Sequence, residues 1–274
     1  MRENAALAKW RRGEPSIGGW LLLGNTHTAE MMANAGFDWL VVDMQHGLID
    51  YRDLTHMLPA ISTTATTPLV RVSSNDPAEI MKALDAGAMG VIVPMVNTRE
   101  QAVTAISACR YPPEGTRSFG PVRAALYGGP GYATEANSQI ACIIMIETME
   151  GLENLQAIVS APGLGGVFVG PADLALALGT PLSPDFDDPR HVAAVDKILS
   201  TCKQFGVPAG IFTIGPNSAR RRLAAGFNFV TLGADATFMM QALTADMAAV
   251  RAPPTAKNTG DAGSGPYGGG ASGR

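Results

Sequence analysis

Four short apolar runs of this chain end in residues that can do chemistry. They lead into Asp43-Met44-Gln45-His46, Arg71, Glu147, and Gly170-Pro171-Ala172-Asp173. Two carboxylates from successive runs, Glu147 and Asp173, suit a six-coordinate oxygen site completed by waters and a bidentate oxygen ligand. Such a site fits Mg²⁺, Mn²⁺ or Co²⁺ better than structural zinc. The alternative is that each acid pairs with an arginine or caps a helix, with Asp173 as an N-cap. Among four histidines, His46 is the best-placed general acid or base; otherwise it binds a backbone carbonyl. His56, inside a helical stretch, and His191, at the start of another, are expected on the surface. His27 is expected on the same face as His46, where it would line a pocket. Arg71 sits among Leu69, Val70 and Val72, so its charge requires an anionic partner. That partner is either Asp43 or a substrate carboxylate or enolate oxygen. The Gly170-Pro171-Ala172-Asp173 turn opens a helix whose N–H groups favour an anion, although Pro171 contributes none. Lys9, Lys82, Lys197, Lys203 and Lys257 all miss the run ends, which leaves Schiff-base chemistry without a nucleophile. No G-x-S-x-G motif supports serine hydrolysis.

The elements that must position these groups follow from hydrophobic patterning. Continuous Val/Ile/Leu runs predict strands at 18–24, 39–45, 68–72, 90–96, 140–147, 166–170, 208–214 and 227–233. Continuity rather than alternation marks strands buried on both faces, as in a parallel sheet. Helix signals fall between them. Asp76-Pro77 gives an N-cap and a first-position proline, and Thr98-Arg99-Glu100-Gln101 is a capping box. Gly36 and Gly87 stand where helix C-caps do. A last helix over 236–251 carries Phe238, Met239, Leu243, Met247 and Val250 on one stripe. Eight strands alternating with eight helical segments predict an α/β protein of the (β/α)₈ TIM-barrel class, with active residues at the C-terminal strand ends. A doubly wound sheet would need G-x-G-x-x-G after its first strand, where this chain reads Gly24-Asn25-Thr26-His27. Residues 111–139 and 179–189 are expected as long functional or intersubunit loops. Residues 1–252 form a single barrel domain by this reading, and 253–274, rich in Gly, Ser and Pro, a disordered tail.

Composition narrows the function classes. The chain has 274 residues, 46% of them hydrophobic and only 16% charged, so its core is ample and its charged surface thin. Thin charge fits helices covered by neighbouring subunits in an oligomer. A net charge of −4 argues against nucleic acid or an anionic membrane as partner. Three separated cysteines without C-x-x-C exclude a disulfide framework and point to a reducing cytosol. The longest apolar run, Ile140–Ile146, is too short to span a bilayer, and no apolar signal core follows Met1. A cytoplasmic location is therefore expected.

Several segments together resemble one known family. They are Trp20, Ala35-Gly36-Phe37-Asp38-Trp39, Val42-Asp43-Met44-Gln45-His46, Val70-Arg71, Val93-Pro94-Met95-Val96, Arg110-Tyr111-Pro112-Pro113, Ile146-Glu147-Thr148 and Gly170-Pro171-Ala172-Asp173-Leu174. In order and spacing, from Gly18 to Val250, the chain resembles the HpcH/HpaI aldolases, which are class II, metal-dependent pyruvate aldolases. The resemblance implies a (β/α)₈ barrel assembled as a hexamer, a trimer of dimers with an exchanged C-terminal helix. It implies that Glu147 and Asp173 bind the divalent metal, which pyruvate or hydroxypyruvate chelates. Arg71 would hold the keto or enolate oxygen, and His46 would move protons. Gly170, Pro171 and Ala172 would shape the carboxylate pocket, with Trp20 and Phe212 also against the substrate and Asp43 and Gln45 behind it. Asp85 matches an aspartate that contacts the histidine of an adjacent subunit. Gln45 stands where some relatives carry glutamate, Met145 where dioate aldolases carry glutamine, and His27 where those enzymes have no histidine. These departures bear on the aldehyde partner. Two other readings are weighed. A citrate-lyase-like enzyme acting on an acyl-CoA ester would need a basic groove, with Arg117, Arg123 and Arg220-Arg221-Arg222 as candidates. A non-catalytic barrel binding a 2-oxo acid would not need the retained acids, histidine and arginine.

Overall fold

The computed structural model describes residues 1–183 and 185–252. The expected tail at 253–274 lies outside the described residues. Eight strands close into a parallel barrel in sequence order. They are β1 (Ser16–Leu21), β2 (Trp39–Asp43), β3 (Thr67–Arg71), β4 (Gly90–Val93), β5 (Ala141–Ile146), β6 (Gly166–Val169), β7 (Ala209–Ile211) and β8 (Phe229–Ala234). The helices are α1 (Ala5–Arg11), α2 (Thr26–Asn34), α3 (Tyr51–Ile61), α4 (Pro77–Asp85), α5 (Arg99–Ala108), α6 (Val122–Gly128), α7 (Tyr132–Gln139), α8 (Met149–Glu153), α9 (Leu155–Val159), α10 (Pro171–Leu178), α11 (Pro189–Phe205), α12 (Gly215–Ala225) and α13 (Asp235–Arg251). Among the described residues no helix is long and apolar enough to cross a membrane.

The expected barrel is present, and every expected strand is found. β7 is shorter than its apolar run, because Phe212, Thr213 and Ile214 leave the sheet at the barrel mouth. The 111–139 segment is not a plain loop: it carries α6 and α7, whose Tyr132 and Ala136 are buried. The predicted caps form as read. Asp76 accepts from the N–H groups of Ala78 and Glu79, and Thr98 and Gln101 make a reciprocal box.

Strand pleating splits the core in two. Leu40 and Val42 of β2 pack outward against the helices, while Trp39 and Val41 point into the barrel with Leu69, Ile92, Ile143, Phe168 and Phe229. Large interior rings lean over glycines on neighbouring strands. A Cβ on Gly18 would stand 2.2 Å from the Trp39 ring, and one on Gly210 2.2 Å from Phe229. α1 closes the N-terminal end of the barrel. Its Trp10 stacks on Phe229 at 4.3 Å, and both Trp10 and Trp39 donate their indole N–H to Ser16 Oγ. With the bottom sealed and the interior filled, the C-terminal mouth is where polar groups collect.

The chain divides into two units, Met1–Phe238 and Met239–Arg274. In the second, the described residues continue α13, with Met239, Met240, Leu243, Met247 and Val250 exposed.

Candidate active site

A cavity of about 580 Å³ opens at the C-terminal mouth of the barrel. Its wall brings together Trp20, Asp43, His46, Arg71, Gly170, Pro171, Ala172, Asp173 and Phe212, residues separated by up to 192 positions in the chain. The alternating pleat explains why: the last residue of β2 and the last of β3, Asp43 and Arg71, are register partners and face the same way.

Asp43 is the hub of the mouth. Its carboxylate accepts Arg71 Nε at 2.8 Å and Arg71 Nη2 at 2.5 Å. It also accepts the Trp20 indole at 3.1 Å and the backbone N–H groups of Gln45 and His46. Burial alone would push this carboxyl up. The hydrogen bonds and charge of Arg71, helped by Gln45 and Trp20, outweigh it and hold the group below the usual carboxylate range. Asp43 thus supplies the partner for Arg71 that the sequence left open. Among the described residues the fork leaves Arg71 Nη1 without an oxygen partner, and it donates only to Met145 Sδ at 3.9 Å. That N–H edge remains available to a substrate oxygen.

Glu147 follows β5 and is buried. Its Oε1 accepts the Met95 N–H at 2.8 Å, whereas Oε2 is buried and has no hydrogen-bond partner among the described residues. A Cβ at position 170 would stand 2.3 Å from that oxygen, so glycine there keeps Oε2 unobstructed. Burial, with the nearby charge of Asp173, raises the carboxyl against the opposing Met95 N–H and Arg71. An unpaired buried carboxylate next to a second acid is the arrangement a cation resolves. Asp173 is exposed in the first turn of α10 rather than its N-cap, which is Gly170. The first-turn N–H groups of Ala172 and Asp173 have no intrahelical partners, Gly170 offers no capping side chain, and both residues line the mouth, where a helix N-terminus favours an anion.

His191 was expected on the surface, but it is fully buried. Its Nε2 donates to the Pro171 carbonyl at 2.9 Å, and its ring stacks on Phe186 at 5.0 Å. Burial, then the Pro171 contact in opposition and the charge of Arg222, leave its pKa lowered, so the neutral Nε2–H tautomer fits the bond. Its place at the start of a helix had suggested the surface; the Phe186 ring and the Pro171 carbonyl cover it instead. His191→Phe is expected to raise KM several-fold with a smaller change in kcat, and to cost about 1–3 kcal/mol in urea unfolding. His191→Gln, which keeps a donor, should recover most of the KM; equal kinetics for both variants would remove the positioning role.

A protein-family model, HpcH/HpaI aldolase/citrate lyase, matches residues 16–242. A hydroxypyruvate/pyruvate aldolase of Rhizorhabdus wittichii is 43% identical over 243 residues, 89% of this chain and 97% of that protein. The chain belongs to the HpcH/HpaI aldolase/citrate lyase family. A 4-hydroxy-2-oxo-heptane-1,7-dioate aldolase of Escherichia coli is 37% identical over 261 residues, covering 94% of this chain and 99% of that one. Among solved structures, an HpcH/HpaI aldolase/citrate lyase family protein from Burkholderia cenocepacia J2315 has 35% identity and a TM-score of 0.85, over 91% of this chain and 100% of that chain. As a member of this family, the chain is a carbon–carbon lyase of the aldolase type.

Not every residue singled out in this HpcH/HpaI chain reaches the mouth. His27 is exposed in α2 beside Glu30 and does not line the cavity. Its helix, capped by Asn25, turns the side chain outward. Gln45 bonds Asp43 through its N–H, while its Oε1 is buried without a partner. Asp85, the last residue of α4, is away from the cavity and paired with buried Arg117 at 2.7 Å. Three of the candidates for a basic groove are engaged elsewhere. Arg117 is held by Asp85 and Tyr132, Arg123 by Ala86 and Ser62, and Arg221 by Asp185. Among the described residues no group of three or more His, Cys, Asp or Glu is arranged to hold a metal. A cation here would rest on two carboxylates, with substrate and water oxygens completing its shell.

Proposed function

We propose that this enzyme is a divalent-metal-dependent aldolase that reversibly cleaves 4-hydroxy-2-oxo acids to pyruvate, or hydroxypyruvate, and an aldehyde. The observation that carries it is the Glu147 Oε2, buried without a hydrogen-bond partner among the described residues and directly behind Gly170, at a cavity whose wall presents Asp173 and Arg71. Glu147 and Asp173 would hold Mg²⁺, Mn²⁺ or Co²⁺, which supplies Lewis-acid stabilisation as enolate charge develops. The relatives, a hydroxypyruvate/pyruvate aldolase and a 4-hydroxy-2-oxo-heptane-1,7-dioate aldolase, support the same donor class.

The chain's own groups then have distinct tasks. The N–H groups of Ala172 and Asp173 receive the C1 carboxylate, in a turn set by Gly170 and Pro171. Arg71 Nη1 donates to the C2 oxygen and strengthens that bond as negative charge grows there. Trp20 and Phe212, edge to face at 5.5 Å, wall off the apolar side. His46 at the rim takes the C4 hydroxyl proton directly or through water. The C3–C4 bond breaks, its electron pair passes to C3 as the enolate, and the aldehyde leaves. Protonation of C3 gives pyruvate. Asp43 and Gln45 hold Arg71 and His46 in place from behind. Asp85, at the far end of its own barrel, is proposed to serve His46 of a neighbouring subunit in a cytoplasmic hexamer with exchanged α13.

The test is exchange of the methyl protons of pyruvate into deuterated solvent, followed by NMR. Chelation should abolish exchange, and adding back Mg²⁺, Mn²⁺ or Co²⁺ should restore it. Full exchange in metal-stripped enzyme would sink the metal assignment.

A further inference from the structure

We propose that Arg222 forms a distal subsite of this cavity and selects aldehydes that carry a terminal anionic group. The inference rests on the aldolase reading and adds the class of the second substrate. Ile214, Ser218 and Arg222 follow one another at four-residue spacing along α12 and the residue before it, so they share one helix face. All three line the same cavity as Arg71 and Asp173. Ser183, Asp185 and Phe186, which lie between α10 and α11, line the cavity as well.

The charges along this wall are not equivalent. Asp185 is neutralised by Arg221 at 3.1 Å. Arg222 is half-buried, and among the described residues its guanidinium has neither a hydrogen bond nor an ion pair. Burial and the charge of Arg221 both work against its protonated form, with Asp196 in opposition. A partly desolvated guanidinium facing a cavity is completed by a carboxylate, sulfonate or phosphate, and its planar fork suits such groups. Ser183 and Ser218 offer hydroxyls to the same ligand. With C1 and C2 of a 4-hydroxy-2-oxo acid fixed at the α10 and Arg71 end, the substituent on C4 must extend away from them. Phe212, Thr213 and Ile214, which lead from β7 into α12, line the same cavity.

The experiment compares two acceptors in aldol addition to pyruvate, 4-oxobutanoate and its uncharged methyl ester. Wild-type metal-loaded enzyme is expected to favour the acid in kcat/KM by on the order of ten-fold or more, the usual worth of a charge-assisted hydrogen bond. Arg222→Gln should bring the acid-to-ester ratio close to one, and Arg222→Lys should keep part of it. Because the ratio is taken within each variant, a general loss of activity or folding does not imitate the effect. A wild type with no preference, or an Arg222→Gln enzyme with the wild-type ratio, overturns the subsite while leaving the aldolase reading intact. Absence of pyruvate proton exchange in the wild type overturns the aldolase reading, and the subsite with it.

Discussion

Glu147→Gln is expected to lower turnover by about 10²–10³-fold, the scale of losing one preorganised electrostatic contact to a developing oxyanion. The amide preserves the shape and still accepts the Met95 N–H through its oxygen, but it brings an NH₂ in place of the orphaned Oε2. Isothermal titration with Mn²⁺ should show the cation affinity falling alongside turnover. Retained affinity and turnover would remove Glu147 from the centre. The same variant has a stability signature in metal-free protein. Burial raises the Glu147 carboxyl in the folded state above its unfolded value. Between those two values the folded chain keeps a proton that the unfolded chain releases. Stability from this group therefore falls as pH rises through that window, and its ionisation penalty is complete once pH has passed the raised folded value. Glu147→Gln deletes that penalty. Urea unfolding of the metal-free variant should be less sensitive to pH on the acid side and should show higher stability than wild type at neutrality.

The second large effect belongs to Asp43. Asp43→Ala leaves the Arg71 guanidinium buried and unpaired, a change that costs about 3–5 kcal/mol when one partner of a buried pair is removed. Urea midpoints at constant m-value measure it, and a loss below about 1 kcal/mol would contradict the pairing. Activity should fall as well, because Arg71 loses the bidentate hold that aims Nη1. The pH dependence has the opposite sign to that of Glu147. The folded Asp43 carboxyl lies below its unfolded value, so its contribution is present in full at neutrality and is lost as pH falls through the carboxylate range to the depressed folded value. Removing charge from both partners, as in Asp43→Leu with Arg71→Met, should recover much of the stability but none of the turnover.

Much of this was legible in the sequence because barrel strands are buried on both faces, so their apolar runs are unbroken and a charge at the end of one stands out. Asp43, Arg71, Glu147 and Asp173 were found that way. What was missed depends on contacts between segments distant in the chain. α1 gives little periodic signal in seven residues, yet its Trp10 seals the barrel against Phe229. Tyr111, Arg117 and Tyr132 make a buried cation–aromatic cluster inside what reads as a turn-rich loop. A histidine in the first turn of a proline-started helix carries no local sign that Pro171, 20 residues earlier, will meet its Nε2. His27 failed for the opposite reason: its position after β1 suggested the mouth, but its place in the first turn of α2 sets where its side chain points. Asp173 was read as a possible cap and is instead a first-turn acid, because a glycine N-cap leaves no side-chain clue.

The convergence on Asp43 has an evolutionary reading. Trp20, Arg71 and the Gln45-His46 backbone all donate to one carboxylate. Substitutions at these positions therefore do not act as independent events, and a double-mutant cycle between Trp20→Phe and Arg71→Lys should depart from additivity. Descendants of this sequence would exchange that set together or keep it whole, while the α12 face carrying Ser218 and Arg222 can vary one residue at a time. New aldehyde preferences are thus reachable by single steps, and a new enolate chemistry is not.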